Sequence, residues 1–427
     1  MINRNRIIIG ITILLSVFFF NLSAHALSPE TELLLKLLEK KGVITTDDAR
    51  ALKQEIEAAA PKATDKEAIK AEIKQEITDE LKTEGGLLAG IQDNLTISGK
   101  VEVDYQYLDH RNRADKNSDG TSDLYISTVE LGIEAVVNES ATANFVLKAE
   151  DIDKSNNDDA NEVTGDPERV AVDEAIITIF NQEKCPFYAV LGKRGQPFGN
   201  FFTHTISDPI TKSAYEIATT GVTMGYAPAD LYGLDLSFTL YKGEKLIGQV
   251  AGIGSTSAPV RNTSPTHVET DDVESHIANL SLQPVDGLTI GAAFNSEPGY
   301  ESRNNTVNAF AEYSLAGFTL DCEYFAAVKR EKFSDNKTYK EKAWAAGLAY
   351  KITEPLEIAA RYETFDNGRD TDLDGDIDYT LTLGANYELL DSVTLMGEYR
   401  RLQEKATAGL SHEKTANEYN MRMGIEF

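Results

Sequence analysis

The sequence predicts an all-β transmembrane barrel of about 16 antiparallel strands, preceded by a short α-helical periplasmic segment. Near Asn94 the hydrophobic period changes from 3.6 residues to 2. Beyond that point, short turns alternate with long polar loops, and the last alternating segment ends on the aromatic residue Phe427. These three observations describe a membrane-spanning barrel whose first and last strands have their outer ends on the same side of the membrane.

The composition is acidic, with 69 Asp+Glu against 41 Lys+Arg and a formal net charge of -28 over 427 residues. This balance argues against a nucleic-acid partner, because binding to phosphates needs a basic face. Beyond the N-terminus there are no runs of ~20 apolar residues, which excludes a helical membrane bundle. The mean hydropathy of -0.31 suggests a soluble protein, but a barrel wall gives the same value because only alternate residues face lipid.

Residues 1–26 have the pattern of a secretory signal peptide. Arg4 and Arg6 form a basic start, an apolar run of 14 residues covers 7–20, and small residues precede a cleavage point after Ala26. The alternative is a membrane-anchor helix, for which this run is short. The sequence therefore predicts export, and together with the barrel pattern it predicts the bacterial outer membrane.

Residues 27–86 show helical periodicity. Ser28 and Pro29 are typical of a helix start, and leucines then recur at helical spacing up to Gly42. Two further amphipathic stretches follow before Gly85 and Gly86. Their narrow apolar faces predict either a coiled coil that could join copies of the chain in the periplasm, or loosely docked helices with no specific partner.

Residues 87–427 form the predicted barrel. From Leu95 to Tyr107, thirteen positions alternate between apolar and polar without a break. Seven short turns and eight longer loops then give sixteen strands, with both ends of the barrel domain on the short-turn, periplasmic side. The alternative is a soluble β-sandwich, whose strands are normally shorter.

A barrel of sixteen strands is wide enough to enclose an aqueous channel. The chain has six histidines without metal-ligand spacing, and neither a nucleophile elbow nor a phosphate loop is present in the sequence. We therefore expect a pore, not an enzyme, with no required cofactor. Cys185 and Cys322 fall six strands apart, too far around the wall for a disulfide, whose Cα atoms lie within ~7 Å.

One stretch of the sequence resembles a known family. It reads Leu191-Gly192-Lys193-Arg194-Gly195-Gln196-Pro197-Phe198-Gly199-Asn200-Phe201 and continues through Ile206-Ser207-Asp208-Pro209-Ile210-Thr211. This is similar to the LbtU-type siderophore porins, the family of the legiobactin receptor. The resemblance implies uptake of an iron–siderophore complex of the polycarboxylate type. Phosphate-selective porins share the layout, so a general or anion-selective diffusion porin remains an alternative.

The loop at 195–219 is unusually aromatic for a segment in water. It is expected to fold inward and narrow the channel, the alternative being that it packs on the barrel rim or on a neighbouring subunit. The candidate constriction residues are Pro197, Phe198, Gly199, Phe201, Asp208 and Pro209.

Residues of a strand alternate between facing lipid and facing the lumen, and we call this alternation the parity of the strand. Parity places several bases in the lumen, where they would attract an anionic solute such as a ferric siderophore. The candidate pore-lining residues are Lys100, Lys148, Arg361, Arg400 and Arg422, with Lys193 and Arg194 at a rim where parity is ambiguous. Carboxylates such as Glu102 and Glu363 share this interior. The alternative is therefore a set of cross-strand ion pairs.

Two loops share a nine-residue pattern of oxygen ligands at alternate positions followed by Gly, which is typical of Ca²⁺ loops. The candidate ligands are Asp115, Asn117, Asp119 and Asp123 in the first loop, and Asp370, Asp372, Asp374 and Asp378 in the second. The alternative is a solvated acidic turn. Calcium binding would suit a third hypothesis, in which the protein is an adhesion or structural barrel.

The expected partners of the outer surface of the barrel are outer-membrane lipid and lipopolysaccharide.

Overall fold

The computed structural model describes residues 94–109, 120–154, 169–201, 204–253, 272–368, 377–404 and 415–427. All of them belong to one compact unit, Asp93–Phe427. The predicted signal peptide and the predicted helices of residues 27–86 lie outside the described residues.

The described residues form sixteen strands in one closed antiparallel barrel, in which each strand pairs with its neighbours in sequence and β1 pairs with β16. The predicted fold class and strand number are confirmed. The strands are β1 Leu95–Asp109, β2 Thr121–Asn138, β3 Ala141–Ile152, β4 Ala171–Asn181, β5 Cys185–Gly195, β6 Ala218–Tyr226, β7 Asp235–Tyr241, β8 Ser275–Val285, β9 Leu288–Glu297, β10 Asn304–Leu315, β11 Phe318–Lys329, β12 Lys342–Thr353, β13 Leu356–Asp366, β14 Ile377–Leu390, β15 Val393–Glu404 and β16 Thr415–Glu426.

Short turns and long connections alternate along the barrel. The turn between β10 and β11 is only residues 316–317, whereas β5 and β6 are separated by residues 196–217. Two short helices lie within long connections: α1 Ile210–Tyr215 and α2 Leu246–Gly252. Within the described ranges, neither helix is long and apolar enough to cross a membrane.

The seam of the barrel closes at the C-terminal residue. The Gly99 N–H donates to the Phe427 carbonyl at 2.8 Å, and the Phe427 N–H donates to the Gly99 carbonyl at 3.0 Å. The ring of Phe427 occupies the space where a Cβ of residue 99 would stand. Glycine at this position therefore lets the terminal aromatic residue pack across the seam.

The two faces of the wall differ in polarity. Outward residues are apolar and exposed, as at Ile97 and Met421, whereas inward residues are polar and often buried, as at Glu102, Asn308 and Thr382. The polarity is thus opposite to that of a soluble protein, whose apolar residues lie inside. Because apolar residues are needed on the outward face only, the mean hydropathy is low. Cys185 begins β5 and Cys322 lies on the outward face of β11, and both carry free thiols.

Candidate channel and constriction

The connection between β5 and β6, residues 196–217, crosses the inside of the barrel; we call it the crossing loop. Its backbone reaches strands on the opposite wall. The Asn200 N–H donates to Glu323 of β11 at 2.7 Å. The Ile210 N–H donates to Glu363 of β13 at 3.2 Å, and the Ser207 N–H donates to Glu398 of β15 at 2.8 Å. Three inward carboxylates on alternate strands therefore hold the loop in the lumen.

Arg361 of β13, a positively charged inward residue, also binds the crossing loop. Its Nη1 donates to Thr205 Oγ1 at 2.6 Å, and its Nη2 donates to the backbone carbonyls of Ser207 at 3.0 Å and Asp208 at 3.2 Å. Its Nε donates to Glu363 Oε2 at 2.9 Å. The side chain is only 3% exposed. Arg361 is thus a structural anchor of the crossing loop, whereas parity alone suggested a pore-lining charge.

An aromatic cluster packs the crossing loop against β11. The ring of Phe325 stacks on Tyr215 with centroids 4.3 Å apart and on Phe201 at 5.7 Å. Phe198 meets the same ring edge-on at 5.4 Å. Because Phe198, Tyr215 and Phe325 are fully buried, this part of the lumen is closed to solvent.

The predicted constriction residues all lie in the crossing loop. Gly199 has a φ of +104°, and a Cβ there would come within 2.5 Å of Phe201 and 2.8 Å of Phe325, so only glycine fits. Pro197 is half-buried next to Phe198, and Pro209 is the N-terminal cap of α1. Asp208 is half-exposed and pairs with Lys212 at 3.1 Å.

Two further loops fill the lumen beside the crossing loop, and the sequence did not single out their anchors. Glu297, at the end of β9, accepts hydrogen bonds from the N–H groups of Lys245 at 2.9 Å and Leu246 at 3.0 Å, where α2 begins. The Tyr241 hydroxyl donates to the same carboxylate at 2.7 Å. The only sequence signal was an apolar pair, Leu246 and Ile247, inside a polar loop.

The connection between β11 and β12 is anchored by a buried ion pair. The Arg330 Nε donates to Glu341 at 3.0 Å, and its Nη2 donates to Thr306 at 2.7 Å. Phe333 of this loop joins the apolar core formed by the crossing loop and α2. We call the inward faces of β6 to β14, together with Glu398 of β15, the packed side of the lumen, because these three loops cover them.

The remaining inward residues, which lie on β15, β16 and β1 to β5, form the charged side. Arg422 of β16 donates to Asp104 at 2.7 Å and lies 3.1 Å from Glu102, both in β1. Lys100 lies 2.8 Å from Glu102. These side chains form a cross-strand network of two bases and two acids at the barrel seam.

The same arrangement continues around the wall. Lys148 of β3 lies 2.8 Å from Glu150 and 3.5 Å from Glu130. Arg400 of β15 lies 3.1 Å from Glu418 of β16. The predicted bases at 100, 148, 400 and 422 thus face the lumen, but each is paired with carboxylates, as the ion-pair alternative expected.

Open space lies along this charged side. A cavity of ≈ 550 Å³ at the short-turn end is lined by Ser98, Lys100, Glu130, Gly132 and Glu426, among others. In the crossing loop, beyond the far end of β5, burial raises the pKa of the Glu216 carboxyl, while Lys212 lowers it.

Comparison with known proteins identifies the family. A model of the Gram-negative porins matches residues 186–407, slightly more than half of the chain. The chain belongs to the Gram-negative porin family. It is a channel-forming protein of the bacterial outer membrane, and the short turns of such barrels face the periplasm. No match is found among curated proteins.

Solved structures share the fold of this porin at low sequence identity. The outer membrane channel DcaP of Acinetobacter baumannii aligns with a TM-score of 0.56 and 13% identity, covering 78% of this chain and 97% of that one. An anion-selective porin from Comamonas acidovorans gives 0.55 and 13%, covering 78% and 99%. Salmonella typhi OmpF in complex with daunomycin gives 0.53 and 11%, covering 78% and 98%. At these identities the likeness shows the fold alone.

Two predicted lumen bases of the porin need separate treatment. Arg194 faces inward, and its Nη2 donates to Thr223 Oγ1 at 3.1 Å. Lys193 does not face inward: it shares the outward face of β5 with Leu191 and donates to the backbone carbonyl of Val172. The prediction that Lys193 lines the pore is wrong, because adjacent strand residues point to opposite faces and only one of this pair can face the lumen.

Most predicted calcium ligands of the porin, at positions 115, 117, 119, 370, 372 and 374, lie outside the described residues. Asp123 lies in β2 opposite Gln106, and its Oδ1 accepts a hydrogen bond from the Leu124 N–H at 2.9 Å. Asp378 lies in β14. The calcium hypothesis stays a prediction.

Proposed function

We propose that this porin lets small hydrophilic solutes diffuse along the charged side of the lumen. The observation that carries the proposal is the contrast between the two sides. Loops seal the packed side, whereas the side chains of Lys100, Lys148 and Glu150 remain 31%, 24% and 60% exposed. Exposed charges around an open space are what a water-filled path requires.

The test is permeation through the purified full chain, measured as single-channel conductance in planar bilayers and as swelling of liposomes in sugars of increasing size. Open steps, and a swelling rate that falls with sugar size, are expected. The variant Ser98→Trp should reduce conductance, because residue 98 lines the cavity. Its neighbour Ile97 faces lipid, so Ile97→Trp is the matched control. A chain that neither conducts nor swells liposomes contradicts the proposal.

A second candidate is uptake of a ferric siderophore of the polycarboxylate type. It is favoured by the resemblance of residues 191–211 to siderophore porins, because this stretch forms the end of β5 and the start of the crossing loop. Blockade of the conductance by micromolar ferric siderophore, but not by the metal-free siderophore, would support it. A conductance that is unchanged up to millimolar ferric siderophore would contradict this candidate and leave the general diffusion porin.

Calcium binding by the two outer loops is a separate proposal, supported by their shared ligand pattern. Calorimetric titration of the full chain should show heat that is lost in a variant combining Asp119→Ala and Asp374→Ala. Equal heats in both proteins would exclude these loops and, with them, the calcium-dependent adhesion hypothesis.

We also propose that residues 1–26 are removed on export and that the helices of residues 27–86 associate copies of the porin in the periplasm. The support is the helical periodicity of that segment. Light scattering should give a larger particle for the mature chain than for one lacking 28–84. Equal numbers of chains per particle would remove this role.

A further inference from the structure

Carboxylates outnumber bases on the charged side. Among the described residues, β15, β16 and β1 to β5 place five bases inward: Lys100, Lys148, Arg194, Arg400 and Arg422. Five carboxylates lie on the same faces in the networks described above: Glu102, Asp104, Glu130, Glu150 and Glu418. Further inward carboxylates accompany them, including Asp123, Glu134, Glu174 and Glu426. The wall around the open space is therefore net negative.

The pairing also determines which sign of charge reaches the solute. Arg422 lies between Glu102 and Asp104, and Lys148 lies between Glu130 and Glu150. A base held between two carboxylates contributes little positive potential at a distance. The most exposed charge of these networks is Glu150, so a solute passing this wall meets a carboxylate.

The crossing loop does not restore the balance of charge. Its Asp208 and Lys212 pair with one another at 3.1 Å. Glu216 adds a carboxylate close to the end of β5, where its Oε1 lies 3.6 Å from the Cβ position of Gly195. A lumen lined by one sign of charge and bounded by low-dielectric walls concentrates ions of the opposite sign.

We propose that the open path of this porin is cation-selective and favours inorganic cations and small organic amines over anions of equal size. The inference rests on the proposed diffusion function, since only a conducting channel has an ion preference. The preferred solutes are opposite in charge to a ferric siderophore.

The test is the reversal potential of the full chain in a planar bilayer under a KCl gradient. The permeability to potassium should exceed that to chloride at about 0.1 M salt, and the preference should weaken towards 1 M, where charges are screened within about 3 Å. The double variant Glu130→Gln, Glu150→Gln should lower the permeability ratio several-fold, because it leaves Lys148 without its two carboxylates. Glu354→Gln is the control, because Glu354 lies in a short turn with its side chain 91% exposed.

The outcomes separate the two ideas. Absence of any conductance would contradict the diffusion function itself. Conductance with equal or greater chloride permeability would overturn only the cation preference. A ratio that is high but unchanged in the double variant would also overturn the inference, because the selectivity would then arise elsewhere. Circular dichroism of the variants checks that each barrel has folded.

Discussion

The packed and charged sides of the lumen are built from the same kind of alternating strands, yet their inward charged residues bind different partners. On the packed side, Arg361 is 3% exposed and donates to the backbone of the crossing loop. On the charged side, Arg422 is 18% exposed and donates to carboxylates of the adjacent strand. An inward arginine is therefore a loop anchor or part of the channel lining, depending on whether a loop covers it.

The difference follows from the needs of a buried backbone. A loop inside a barrel carries N–H and carbonyl groups that have lost water and must find partners. The packed side supplies them: Glu323, Glu363 and Glu398 accept from loop N–H groups, and Arg361 donates to loop carbonyls. On the charged side the inward groups bind one another, because no loop backbone lies over them.

The largest effect is expected from Arg361→Ala. This variant leaves the fully buried carboxylate of Glu363 without its cation and the carbonyls of Ser207 and Asp208 without their donor. Removing one partner of a buried ion pair costs about 3–5 kcal/mol. The crossing loop should then detach, so that hydrogen exchange at its amides accelerates and the single-channel conductance rises.

Arg422→Ala is the matched control for that experiment. Arg422 is also an inward arginine, but its ion-pair partners are Glu102 and Asp104 on the neighbouring strand. We expect the crossing-loop amides to exchange at the native rate in this variant. Equal acceleration in both variants would show that the two sides of the lumen are not independent.

A smaller effect is expected from Glu297→Ala, which acts on the second loop of the packed side. The carboxylate accepts from the N–H groups at the start of α2 and from the Tyr241 hydroxyl. Loss of hydrogen bonds to a charged group costs about 1.5–3 kcal/mol. Amide exchange in residues 242–253 should accelerate while that of the crossing loop changes less. Glu312→Ala, at an inward carboxylate of the next strand, should leave both unchanged.

The barrel could be predicted from the sequence because its signals are local. Alternation at thirteen positions of the first strand, and the regular order of short turns and long loops, determine strand number and orientation without any tertiary contact. The aromatic content of residues 195–219 likewise predicted an inward fold, and this segment does cross the lumen.

The roles of the inward charges could not be predicted in this way. Glu323 and Glu102 both face inward and both have apolar neighbours in the sequence. Glu323 nevertheless accepts a hydrogen bond from a loop amide, whereas Glu102 pairs with Arg422. What separates them is the path of a loop that starts several strands away. Lys193 is a different case: β5 has no register shift between Ala189 and Lys193, so counting from the outward residue Leu191 places Lys193 on the outward face.

The smallest effect is expected from Lys100→Met on the charged side. Lys100 pairs with Glu102 while its side chain remains 31% exposed, and Arg422 still binds Glu102 and Asp104 when the lysine is removed. Half-exposed ion pairs contribute about 0–1 kcal/mol. Chemical unfolding in detergent should therefore shift little, whereas Arg361→Ala destabilises the packed side. A loss above ~2 kcal/mol would mean that the charged side is also structural. The asymmetry of the lumen would then lie in its solvent exposure and not in how its charges are used.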